Sequence, residues 1–340
     1  MQKRLFWLVA LLVFALPFTV MAQDATEEPM ATEEAMMEVE LPAVDPLSVT
    51  GDIISAGSST VFPLSEHMAE LFTEEGYTGN ITVDSIGTGA GFERFCTTGE
   101  TDIANASRKI RDTEIEACAA LTPPRTPVEF RIGTDAIAVV VSAENDFVTD
   151  LSRKQLSDIF SGAVTKWSEI DPSWPDETIQ VFTPGTDSGT FDYFVEAVLE
   201  NADGGALEGE AATAAILGIP GVQLSEDDNV LVQGVEGSPY AIGYFGFAYY
   251  QENQEGLKAL SINGVTPDEE TAESNEYPLS RPLFIYSDAG IIAEKPQVGA
   301  FINFYLTNVS DEIVGVGYFP ASVAAINASK QTLLDAMGGM

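Results

Sequence analysis

The sequence predicts an α/β protein built on mainly parallel sheets. Three observations carry this. Short apolar segments of strand length alternate with segments of helical period, the order expected when helices cross back over parallel strands. The chain has 340 residues, 45% of them hydrophobic, enough for two domains or one large one. One local pattern also recurs three times: a strand ends, a loop of Ser, Thr and Gly follows, and a helix begins with an aromatic in its first turns.

Each element has its own signal. "DIISAG" is a short apolar strand. In "SSTVFPLSEHMAELFTEEG" a loop feeds a helix, because Leu64, Met68, Leu71 and Phe72 recur at helical spacing and Gly76 ends the run. "NITVDSIG" is a second strand, "TGAGFERFCTTGE" a Gly-rich loop entering a helix, and "TDIANAS" a short extended segment. "VEFRIGTDAIAVVVSAEN" is a long β-rich stretch suited to crossing between domains. "SRKQLSDIFSG" is helical, with Leu156, Ile159 and Phe160 on one face. "TIQVFTPG" is a strand, and "TDSGTFDYFVEAVLE" is again a loop feeding a helix. "AIGYFGFAYY" reads as an aromatic strand or turn, "RPLFIYSD" as a strand, and "PQVGAFINFYLTN" as a helix after its proline. No repeat of solenoid period is present.

The N-terminus has a different character. Lys3 and Arg4 precede an apolar run over residues 5–20, and Val20-Met21-Ala22 offers small or apolar residues at the positions a signal peptidase reads. Residues 1–22 are therefore expected to be a signal peptide cleaved after Ala22, the alternative being a retained membrane anchor. Residues 23–49 are rich in Glu, Ala, Thr, Met and Pro without Lys or Arg, and are expected to form an acidic disordered linker. An exported chain meets an oxidising compartment. The two cysteines, Cys96 and Cys118, point there to a disulfide contributing about 3 kcal/mol, the alternative being two buried thiols.

Charge excludes one class of partner. The balance is 15 Lys+Arg against 53 Asp+Glu, a formal net charge of -38, so the chain offers no basic surface for nucleic acid. One histidine and two distant cysteines make no metal-ligand cluster. No metal or cofactor is expected.

The three Ser/Thr/Gly loops, "AGSSTVFP", "IGTGAGFERF" and "PGTDSGTFDYF", suit an anion. Ligands of open α/β sheets bind at the carboxyl ends of strands. Free N–H groups and the positive dipole end at a helix start favour negative charge, and hydroxyls add donors. The string Asp187-Ser188-Gly189-Thr190 also resembles an aspartic protease loop. That chemistry needs two carboxylates sharing a proton, and only one such string occurs in a chain that reads as α/β. A serine hydrolase needs a general base, and the single histidine, His67, lies far from Ser188 in sequence. The chain is not expected to be an enzyme.

The segments "AGSSTVFPLSEHMAELF", "GTGAGFERFCTTGETDIANASRKI", "FSGAVTKWSEI", "GTDSGTFDYF", "SEDDNVLVQGV" and "YPLSRPLFIY" together resemble the phosphate-binding subunit of ABC-type phosphate importers, the PstS family. The resemblance runs from about residue 53 to 286 and more loosely beyond. It implies a type II periplasmic binding protein: two α/β lobes around a cleft, lobe 1 from residues 50–132 plus 282–340 and lobe 2 from 133–281. It also implies a monomer that holds inorganic phosphate and hands it to a membrane permease. Binding of another tetrahedral oxyanion (sulfate, molybdate, arsenate), or a surface sensor or adhesion role on the same fold, is the alternative.

Carried over residue by residue, the family's phosphate ligands fall on Ser59, Thr60 and Val61, on Thr88 and Gly89, on Ser107 and Arg108, and on Ser188, Gly189 and Thr190. The chain departs from the best-known members in two places. They have an aspartate at the position of Arg108 and an arginine where this chain has Pro184. Arg108 is thus expected to supply the bidentate guanidinium. Asp187 is the expected acceptor for the phosphate proton, with Asp192 second. A helix cap is the plainer role for Asp187, and capping alone the alternative for Ser188 and Thr190.

Overall fold

The computed structural model describes residues 38–200, 207 and 209–338. The expected signal peptide and the first part of the expected linker, residues 23–37, lie outside the described residues. Among the described residues no helix is long and apolar enough to cross a membrane.

Twelve strands are described: β1 (Ile53–Gly57), β2 (Ile81–Ser85), β3 (Ile103–Ala106), β4 (Pro127–Ser142), β5 (Asp150–Leu151), β6 (Gln180–Pro184), β7 (Gln223–Ser225), β8 (Ala241–Gly246), β9 (Leu257–Ala259), β10 (Ser261–Ile262), β11 (Ser280–Asp288) and β12 (Phe319–Pro320). Ten of them form one sheet in the order β2-β1-β3-β11-β4-β8-β6-β7, with β9 and β12 also paired to β4. The outer strands are parallel, β2 and β3 beside β1, and β7 and β8 beside β6. The centre is antiparallel. β4 carries the chain from one half of the sheet to the other, and β11 carries it back alongside, from Ser280 opposite Ala136 to Asp288 opposite Pro127.

Apolar side chains divide accordingly. One core gathers Ile53, Leu64, Met68 and Phe72 with Ile132, Leu283, Phe301 and Leu333, from both ends of the described chain. A second gathers Ile137, Val139, Leu156, Phe160, Trp167, Phe194, Tyr244 and Leu279 from its middle. These are the two lobes, called lobe 1 and lobe 2 below. The helix Phe62–Glu74 buries Leu64, Met68 and Phe72 and stops before Gly76, whose φ of +109° suits glycine. The helix Arg153–Phe160 starts at a capping box of Ser152 and Gln155 and buries Leu156, Ile159 and Phe160. The aromatic run 240–250 splits into β8 and the helix Phe247–Glu252.

One expectation changes here. The acidic pattern predicts a disordered linker over residues 23–49, yet residues 38–49 pack on lobe 1. Leu41, Val44 and Val49 lie against its core. Val39 N–H donates to Asn327 Oδ1 at 2.8 Å, Asn303 Nδ2 donates to the Pro42 carbonyl at 3.1 Å, and Lys330 pairs with Glu38 at 2.8 Å. Three spaced apolar residues within an acidic stretch are enough to bury one side of it.

Candidate functional site

Parallel pairing puts the carboxyl ends of β1, β2 and β3 side by side, so the loops after them share one edge of lobe 1. Gly57 ends β1 at φ +148°, and a Cβ there would lie 2.1 Å from the Asn105 carbonyl oxygen. That close approach lets the Gly57 carbonyl accept from the N–H groups of both Ile86 and Gly87, at 2.9 and 2.8 Å, which pins the second loop to the first. The third loop is tied in by Thr88, whose Oγ1 accepts the Ser107 N–H at 3.2 Å and lies 3.2 Å from Ser107 Oγ. Beneath these loops Cys96 and Cys118 are joined in a disulfide, packed with Phe92, Phe95 and Tyr286.

Lobe 2 contributes the loop after β6. Ser188 caps the helix Gly189–Phe194, its Oγ accepting the Thr190 N–H at 3.2 Å. Gly189 bears directly on lobe 1: a Cβ on it would lie 3.2 Å from the Ser59 carbonyl oxygen and from the Thr60 N and Cα. The two lobes touch at this point.

Between them lies a cavity of about 580 Å³. Its lobe 1 wall includes Ser58, Ser59, Thr60, Thr88, Gly89 and Ser107; lobe 2 adds Asp192, Tyr193 and Glu196. Arg108, Lys109, Arg111 and Arg281 also line it. Four cations against two carboxylates reverse the sign of charge that prevails over the chain. Hydroxyl donors with guanidinium groups form a receptor for an oxyanion.

The two arginines that matter most are held differently. Arg108 is gripped within lobe 1 by Glu114, Nη1 to Oε2 at 2.9 Å and Nη2 to Oε1 at 2.7 Å, with Phe92 under the guanidinium at 5.4 Å. Partial burial works to raise the Glu114 carboxyl, but the hydrogen bonds from Arg108 and the Arg111 N–H outweigh it and hold it below the ordinary range. Arg281 sits at the junction of the lobes. Its Nε donates to Asp135 Oδ2 at 3.0 Å, and its guanidinium lies 3.7 Å from the Tyr193 ring centroid. Nη2 donates to Thr60 Oγ1 and to the Gly189 carbonyl, the latter at 3.3 Å. Asp135 is fully buried and its Oδ1 has no partner; burial pushes its carboxyl up while Arg281 pulls it down.

A family model described as a PBP superfamily domain matches residues 43–309. Protein SphX from Synechocystis is 39% identical over 305 residues, 87% of this chain and 86% of its own length. A phosphate-binding protein PstS from Staphylococcus haemolyticus is 35% identical over 273 residues, 79% of this chain and 80% of its own. The chain belongs to the PstS family. Among solved structures, "a possible phosphate binding protein" from Planctomyces limnophilus aligns with a TM-score of 0.75 at 37% identity, over 85% of this chain and 99% of its own. An ABC-type phosphate transport receptor from Vibrio cholerae shares the fold with a TM-score of 0.62 at 24% identity, covering 79% and 99%.

Against this PstS background the site residues named from the sequence fall into three groups. Ser59, Thr60, Thr88, Gly89, Ser107 and Arg108 line the cavity. Ser188, Gly189 and Thr190 stand half-buried where the lobes meet, and the Val61 side chain is fully buried in the lobe 1 core. Asp187 is exposed and off the cavity wall; the aspartate on the wall is Asp192, whose Oδ2 lies 3.5 Å from Ser59 Oγ. Burial within the cleft raises the Asp192 carboxyl, helped by Asp187 and opposed by the Ser59 hydrogen bond and Arg281. Trp167 is fully buried and its Nε1 donates to the Tyr240 carbonyl at 3.0 Å, while His67 bonds Glu312 at 2.9 Å, so both are structural. Arg281, Tyr193 and Asp135 were missed. The available signal was an arginine inside the apolar strand "RPLFIY", where a charge must find a buried partner. Among the described residues no group of three or more His, Cys, Asp and Glu could hold a metal ion.

Proposed function

We propose that the chain is an extracytoplasmic solute-binding protein that captures inorganic phosphate between its lobes and delivers it to the permease of an ABC importer. It acts as a monomer and carries out no chemistry on its ligand. The observation that carries this reading is the cavity at the strand ends, walled by Ser59, Thr60, Thr88 and Ser107 hydroxyls and by arginines, with the Asp192 carboxylate on the opposite side. The relative from Staphylococcus haemolyticus, named a phosphate-binding protein, supports the choice of anion. A leader over residues 1–22, cleaved after Ala22, and the Cys96–Cys118 disulfide suit export to an oxidising compartment.

Asp192 supports phosphate over sulfate. Phosphate near neutral pH keeps a proton it can donate to a carboxylate. Sulfate has none, and would meet an unpaired negative charge. Asp192, not Asp187, takes this role because it is the one on the cavity wall.

Titration calorimetry with phosphate and sulfate tests both points. Phosphate is expected to bind at least about a hundredfold tighter than sulfate, and Asp192→Asn to narrow that ratio by roughly tenfold or more. Equal affinities in the wild type would sink the phosphate assignment. A loss of discrimination in Asp187→Asn but not in Asp192→Asn would return the role to Asp187.

A further inference from the structure

Arg281 is nine-tenths buried and yet reaches the cavity, an unusual position for a cation. We infer that Arg281, and not Arg108, supplies the guanidinium that grips the anion, and that through it the ligand draws the two lobes together. The inference rests on the oxyanion-binding reading above.

Arg108 has both terminal nitrogens on Glu114, within one lobe, and that pair is close to neutral. An anion arriving there would have to displace a carboxylate already bound in bidentate fashion. Arg281 is arranged otherwise. Its partner Asp135 is fully buried and engages the Nε, while the Tyr193 ring holds the guanidinium plane. A group fixed on two sides loses little rotamer freedom when it binds. Nη2 then meets Thr60 Oγ1 from lobe 1 and the Gly189 carbonyl from lobe 2, so one cation spans the cleft. Because Thr60 Oγ1 accepts from Arg281, its own hydroxyl hydrogen is left to donate to an anion. An oxyanion bound to this guanidinium would rest on a cation that both lobes already hold, which couples binding to closure.

The test uses the mature chain and inorganic phosphate, with calorimetry for affinity and small-angle X-ray scattering for closure. Arg281→Lys keeps the charge opposite Asp135 but removes the fork, and is expected to weaken phosphate by roughly 30-fold or more and to abolish phosphate-induced compaction. Arg108→Lys, measured in parallel, is expected to lose less than about fivefold. Should Arg281→Lys fail to fold, Asp135→Asn exchanges the charged acceptor of Nε for a weaker neutral one and is expected to weaken phosphate about fivefold. An Arg281→Lys or Asp135→Asn protein with wild-type affinity and compaction would overturn the inference, as would a larger loss in Arg108→Lys. A wild-type protein that binds no phosphate would overturn the functional reading itself, and this inference with it.

Discussion

Gly189 shows how much a single missing side chain decides. Its position against the Ser59 carbonyl and the Thr60 backbone leaves no room for a Cβ without separating the two loops by a few tenths of an ångström. Gly189→Ala is therefore expected to weaken phosphate about tenfold while leaving the melting temperature of the ligand-free protein nearly unchanged, since the clash is with the other lobe. Calorimetry and thermal denaturation on the same sample separate the two effects. Asp192 gives a pH dependence. Its carboxyl titrates above the ordinary aspartate value because of burial, and once protonated it can donate to either anion. The phosphate-to-sulfate affinity ratio is therefore expected to shrink as pH falls through that raised pKa. Competition titrations across an acidic pH series would show it, and a ratio independent of pH would remove Asp192 from the discrimination. At this scale the sequence was legible where chemistry is local: Thr60 and Thr88 sit in loops that declare themselves by composition, whereas Ser107 was named only through the family resemblance. Arg281 was not, because its partners Asp135, Thr60 and Gly189 are remote in sequence and no spacing rule joins them.

The helix Asp228–Glu236 carries its own liability. Asp227 caps it, accepting the Asn229 N–H at 3.0 Å, and Asp228 follows at the first helical position. The helix dipole favours an acid there, but burial and the neighbouring Asp227 and Glu226 push Asp228 up to about 6. A folded-state pKa above the unfolded value means that the native protein holds this proton more tightly. The associated stability is fully present below the ordinary aspartate pKa and is lost as pH rises through about 6. Asp228→Asn is thus expected to raise the melting temperature at about pH 7.5 and to change it little below about pH 4. Equal shifts at both would argue against the assignment. Elements with strong periodicity, such as the helix Arg153–Phe160 and the strand β4, were legible from pattern alone. The antiparallel centre was not, because whether β11 returns beside β4 depends on where the chain has been and not on the residues of either strand. The packing of residues 38–49 was obscured by the acids that surround Leu41, Val44 and Val49.

Over the whole molecule charge is the dominant quantity. A formal net charge of -38 makes the folded state repel itself. The Debye length falls from about 30 Å at 0.01 M salt to about 8 Å at 0.15 M, so screening is expected to raise the melting temperature by several degrees over that range. A flat or falling salt dependence would mean that the acids are too dispersed to matter. The cavity resists this background because its donors act at hydrogen-bond range. Length and the long β-rich stretch over β4 admitted two domains, but the lobe boundaries came from the family motifs, since neither composition nor periodicity says which distant segments meet.

The two ends of the described residues do meet, and this bears on how the molecule folds. Ser329 bonds the backbone of Arg131 at 2.8 and 3.1 Å, and Lys330 reaches Glu38, so lobe 1 is completed by the helix Val323–Gly338. A ribosome adding about 5–20 residues per second needs on the order of ten seconds or more to travel from β4 to that helix. Throughout that interval the first third of the nascent chain lacks the surface it must fold against. With synthesis running from the N-terminus, lobe 1 is expected to stay open until its last helix is made.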